Sequence, residues 1–139
     1  MKLRLPSDRL AGRVWLPRCV DKARACLEGS LPLSYRVAFG SRLGVDGYFL
    51  RHFQLSRRKL LWAVRDSSNE QTLAEWFLKT PAASPSRIET WNELAPRLGS
   101  RGHPGYATLK ILKWVFYPKS IRLPVRGIFE AIEQDEGPG

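Results

Sequence analysis

Helix-period apolar stripes, each cut short by a proline, a glycine or a capping residue, run through this chain of 139 residues. Such punctuation limits the chain to short helices packed on one another. Pro17 suits the first helical position and Gly29 the stop, so the spacing predicts a first helix over 17–28. Leu16, Val20, Ala23 and Leu27 form its stripe, with Cys19 and Cys26 along one edge. Arg18, Asp21, Lys22 and Glu28 fall on the other side and Arg24 at the border, which makes that face a wet or a binding surface.

Further along, a short helix carries Phe49, Leu50 and Phe53, and Ser56 caps the next, which buries Leu60, Leu61 and Val64. Ser67-Ser68-Asn69-Glu70 has the Ser-x-x-Glu spacing of a capping box ahead of Leu73, Trp76 and Phe77, predicting a helix over 69–79 that Pro81 ends. Ser84-Pro85 opens another, with Ile88, Trp91 and Leu94, stopped by Pro96. A strongly apolar helix is expected over 106–117, and a last amphipathic segment carries Ile128, Phe129 and Ile132. Trp76, Trp91 and Trp114 each sit on an apolar stripe and are expected to share one core.

Leu33, Tyr35, Val37 and Phe39 alternate as a strand would, but no second strand is at hand to pair with them. That stretch reads as an extended loop. The fold expected is a single all-α domain of six or seven short helices with an irregular extended segment near 30–40. An extended arm over 1–14, a flexible loop over 97–105 and an acidic tail over 134–139 complete it. A chain of this length can bury roughly two thirds of its unfolded surface, enough for one real core.

The charge is lopsided. Residues 1–65 hold 14 Lys or Arg against four acids, while residues 66–139 hold nine of each, so the first half carries the whole net charge of +10. A basic face of this kind meets an anion, because net charge reports on partners rather than on fold. Apolar residues make up 43% of the chain, which places it among folded proteins rather than disordered ones. No apolar stretch is long enough for a signal peptide or a membrane span, and a cytoplasmic location is expected. Cys19 and Cys26 lie about 10 Å apart along one helix, too far for a disulfide between them.

Catalytic signals are sparse. His52 and His103 stand far apart without a partner at ligand spacing, so no metal site is expected. A general base at His52 would need an orienting carboxylate, and Asp46, six residues away, falls on a different helix face. Gly99, Gly102 and Gly105 lack the strand that would make them a phosphate cradle, and no cofactor motif is present. By contrast, Arg57, Arg58 and Lys59 place three cations in the first turn of a helix, against its dipole, so an anionic group is expected to offset them. That group is the acidic end of the chain, Glu130 to Glu136, or an external polyanion; the remaining alternative is that the three side chains splay into water.

The string Trp15-Leu16-Pro17-Arg18-Cys19-Val20-Asp21-Lys22-Ala23-Arg24 resembles the leucine-proline-arginine, aspartate-lysine-x-arginine signature of the bacterial domain of unknown function 5069 family. Asp46-Gly47-Tyr48-Phe49-Leu50 is similar to its aspartate-x-x-phenylalanine-leucine segment, and the run from Ile128 to Gly137 to its aspartate-glutamate-glycine ending. The stretch 96–118 departs from the arginine-rich middle of that family. The resemblance implies a small, mostly helical protein and carries no catalytic residue.

These readings converge on a non-enzymatic helical binding module whose basic half docks an anionic partner, nucleic acid or a ribonucleoprotein. Its candidate binding residues are Arg18, Asp21, Lys22, Arg24, Arg51, Arg57, Arg58, Lys59 and Trp62, and Arg65 widens the patch. The alternatives are a protein-protein adaptor using the first helix, and a small enzyme acting on an anionic substrate through Arg18, Asp21, Asp46 or His52.

Overall fold

A computed structural model describes residues 3–40, 44–98 and Ile132. The chain is mainly helical, with one small sheet. A hairpin of β1 (Arg9–Leu10) and β2 (Arg13–Val14) leads into α1 (Leu16–Glu28), α2 (Leu33–Gly40), α3 (Val45–His52), α4 (Arg57–Asp66), α5 (Glu70–Leu78) and α6 (Pro85–Leu94). A 3-10 turn, Ala95–Arg97, ends the described segment together with the buried Leu98.

Most helix ends follow from local chemistry. The Ser56 hydroxyl accepts from the Lys59 N–H at the start of α4, and Ser84 accepts from the Arg87 N–H at the start of α6, with Pro85 in the first turn. α1 stops at Gly29, whose φ of 74° lets the Ser30 N–H turn back to the Ala25 carbonyl at 2.9 Å. α5 departs from the expectation: Asn69, not Ser67, is the N-cap, its side chain accepting from the Thr72 N–H at 2.8 Å. Ser67 instead caps the C-terminus of α4, so the capping box spacing is formed by residues on either side of a helix break.

Two segments correct the sequence reading. Residues 33–40 form a helix rather than an extended loop. The alternating pattern misled because Tyr35 and Phe39 are also four apart, and one helix face carries both toward the core, Phe39 being buried. Residues 3–14 are no loose arm. Ala11 and Gly12 both have positive φ, 51° and 75°, which makes the two-residue turn whose twist suits a hairpin, and Arg9 pairs with Val14, Leu10 with Arg13. Asn92 fixes this turn from α6: its carbonyl accepts from the Val14 N–H at 2.9 Å and its amide donates to the Gly12 carbonyl at 2.8 Å.

α1 is the central helix, packed chiefly on α4 and against α2 and β1, while α6 packs on β2 and α3. The core between them holds Trp15, Leu16, Val20, Phe49, Phe53, Leu60, Leu73, Phe77, Trp91 and Ile132. Phe49 meets Trp91 edge-on with ring centroids 5.3 Å apart, and Phe53 packs on Phe49 at 5.0 Å. Of the three tryptophans expected in the core, Trp91 is fully buried, Trp76 is half-buried at its margin, and Trp114 lies outside the described residues. The expected helix over 106–117, the loop beyond Leu98 and the acidic tail lie outside them too.

Candidate functional site

The polar residues of the first helix separate into two groups that the sequence had merged. Trp15, Cys19 and Lys22 are spaced by four and three, so they share one face of α1, and all three point at Asp46 of α3. Lys22 Nζ donates to Asp46 Oδ2 at 2.7 Å, the Trp15 indole to Oδ1 at 2.7 Å, and the Cys19 thiol to Oδ1 at 3.1 Å. Both charged partners are buried, and Lys22 also lies over the Trp15 ring at 5.1 Å. Burial, reinforced by the neighbouring Asp46 carboxylate, pushes the Cys19 thiol well above its usual range, so it is a packed donor and not a nucleophile.

Arg18 is buried as well, its Cζ 5.3 Å from the Trp15 ring centroid and its Nη1 donating to the Arg4 carbonyl. The face expected to be wet is therefore covered at Arg18 and Lys22. Asp21, three residues from both Arg18 and Arg24, turns instead to Arg4. It accepts from the Arg4 backbone at 2.8 Å and from the Arg4 guanidinium, while Glu70 of α5 takes Arg4 and, at 3.4 Å, Arg24. Burial pulls the Arg4 guanidinium down, but Asp21 and Glu70 outweigh it and hold its pKa above the ordinary value. This network ties residue 4 to α1 and α5, and no local pattern announced it because Arg4 and Glu70 are distant in sequence.

Asp46 and His52 are turned to different neighbours. The His52 Nε2–H donates to the Arg87 carbonyl at 2.7 Å, and the ring packs on Phe53 and Trp91. Each is committed to a structural partner. Among the described residues, no three His, Cys, Asp or Glu side chains gather as metal ligands.

The remaining candidates lie on the outer face of α4. Arg57, Arg58, Leu61, Trp62 and Arg65 recur at spacings of four and one, so one side of the helix presents them together. With Leu27 at the end of α1 they line a groove of about 560 Å³. Three arginines and no carboxylate line it. Leu27, expected in the core, is 44% exposed here at the end of α1, and Trp62 is 48% exposed. Trp62 stands beside Trp76 of α5, centroids 6.4 Å apart and planes tilted by 54°.

Lys59 is exposed in the same first turn but does not line the groove, and Arg51 instead covers the Tyr48 ring at 5.0 Å. No acid stands in the first turn of α4, and among the described residues no carboxylate pairs with Arg57, Arg58, Lys59 or Arg65. Among the described residues Arg57 lies over the Phe39 ring, at 5.9 Å. The internal answer to this charge, the acidic end of the chain, lies outside the described residues.

A second depression of about 800 Å³, between the hairpin and α6, is lined by Arg9 against Glu89 and Glu93 and lacks any aromatic ring. It offers no net cationic field. No helix among the described residues is long and apolar enough to cross a membrane.

No curated protein shows significant similarity to the chain. The signature residues have a structural meaning nonetheless: Lys22 and Asp46 join the first two motif segments through a buried pair, and Asp21 and Arg24 lock the N-terminus and α5 onto α1. The sequence pattern described as Domain of unknown function (DUF5069) matches residues 1–137, nearly the whole chain, and the protein belongs to that family.

Proposed function

We propose that this protein is a nucleic-acid-binding module, not an enzyme, and that the α4 groove is its docking surface. The observation that carries the reading is a concave surface with three arginines, an exposed tryptophan and no lining acid. Cations in the first turn of a helix cost up to about 1 kcal/mol each at low salt, and a bound phosphate turns that cost into attraction through both the side chains and the free N–H groups of the turn. Cys19 and Cys26 are free thiols, which supports work in the reducing cytoplasm.

Titration of labelled RNA and DNA at several salt concentrations tests the reading. With Arg57, Arg58 and Arg65 neutralising about three phosphates, log K is expected to fall against log salt with a slope of about −2 to −3. Replacing Arg57, Arg58 and Arg65 by Ala is expected to abolish most of that slope and leave the fold intact, because these side chains are exposed. Absence of binding at micromolar protein in about 50 mM salt, where electrostatic contacts are favoured, overturns the proposal.

A further inference from the structure

We infer that the groove selects single-stranded over double-stranded nucleic acid, with Trp62 as its base-stacking platform. The inference rests on the binding role proposed above and adds to it the state of the strand. Its ground is the order of side chains along α4: Arg57 and Arg58 at one end, Leu61 and Trp62 in the middle, Arg65 at the other. Eight residues separate Arg57 from Arg65, about 12 Å along the axis at 1.5 Å per residue. Cation, ring, cation is the order in which a single strand presents phosphate, base, phosphate, and at about 3.4 Å per stacked nucleotide the span accommodates three or four of them.

A duplex offers the groove only phosphate rails, since its bases are paired and stacked inside. The exposed face of Trp62 then gains nothing. A single strand offers base faces, and stacking on an aromatic side chain is tolerant of sequence because every base has such a face. Trp76, half-buried and tilted against Trp62, backs the platform from α5 and limits the rotamers open to it, so the ring is held ready for a base.

The test compares a fluorescein-labelled oligo-dT or oligo-U of about 12 nucleotides with a self-complementary duplex, at matched phosphate and salt concentration, for the parent, Trp62→Ala and Trp62→Phe. Tighter binding of the single strand by the parent is expected. Trp62→Ala should lose about 5- to 150-fold on the single strand, the effect of one stacked base, with little change on the duplex. Trp62→Phe should recover most of the loss. Thermal unfolding of each variant checks that the ring's removal leaves the fold in place, as its exposure implies. Equal salt-dependent binding of both nucleic acids, or equal losses on both in Trp62→Ala, overturns the single-strand inference and leaves the binding role standing. Failure of the parent to bind either removes both.

Discussion

Lys22 and Asp46 meet at 2.7 Å in the core, 24 residues apart in sequence and with their side chains only 4% and 2% exposed. Removing either partner strands the other as a buried charge, which typically costs about 3 to 5 kcal/mol. Asp46→Asn keeps an acceptor for the Trp15 indole but loses the charge, so urea denaturation should show a loss in that range. Lys22→Met alone should cost a similar amount. The double variant, with neither charge left, is expected to recover at least half of the loss of the worse single variant, and strict additivity would show that the two residues act independently.

Arg13 shows the opposite situation. It is fully buried, sandwiched 4.4 Å from the Phe53 ring centroid and 5.5 Å from that of Phe77, and Nη2 donates to the Phe77 carbonyl at 3.1 Å. Among the described residues Nε and Nη1 have no hydrogen-bond partner, and burial lowers the pKa of Arg13 to about 10. The unfolded chain therefore binds more protons than the folded one only above about pH 10; there the residue's contribution to stability rises with pH, and below it the contribution is constant. Arg13→Met should lie within about 1 kcal/mol of the parent, the lost hydrogen bond offset by relief of desolvation, whereas Arg13→Ala should cost about 2 to 4 kcal/mol for the cavity. The difference between parent and Arg13→Met should stay flat from about pH 6 to pH 9, and a slope there would show that another group titrates against Arg13.

The cap of α5 separates sequence spacing from geometry. Asn69→Ala removes the acceptor for the Thr72 N–H and should cost about 1 kcal/mol, while Ser67→Ala, at the end of α4, should cost a few tenths. Thermal melts of the two single variants decide it; the reverse order would restore Ser67 as the functional cap.

What was legible from sequence follows the range of the interactions. Ser56 and Ser84 were found because a cap acts over three residues, and the stripe Leu16, Val20, Ala23 because helix faces repeat over four. Arg57, Arg58 and Lys59 stand out in the sequence because their oddity is local, three cations at a helix start, and the structure sets Arg57 and Arg58 along one groove with Trp62. Charge alone puts Arg18 and Lys22 outside, because a charged side chain argues for water unless a partner is known, and Lys22's partner comes from α3. Arg13 was missed altogether. A cation next to Val14 and Trp15 gives no signal that two phenylalanines, 40 and 64 residues on, will cover it. The strand-like alternation of 33–40 failed because four residues of period two are compatible with a helix of two turns.

The clasp of Asn92 and Trp91 on the hairpin has a consequence for how the chain assembles. Trp91 Nε1 donates to the Val14 carbonyl at 2.8 Å across 77 residues, and Asn92 reaches Gly12 across 80. At synthesis rates of about 5 to 20 residues per second, the N-terminal strands emerge roughly 4 to 16 s before the residues that fasten them. Closing so long a loop is an entropic cost that these contacts help to offset. The segment before α1 is thus held from two sides, by α1 and α5 through Arg4 and by α6 through Trp91 and Asn92, and loss of the α6 contacts should mainly speed local opening of the hairpin rather than slow folding.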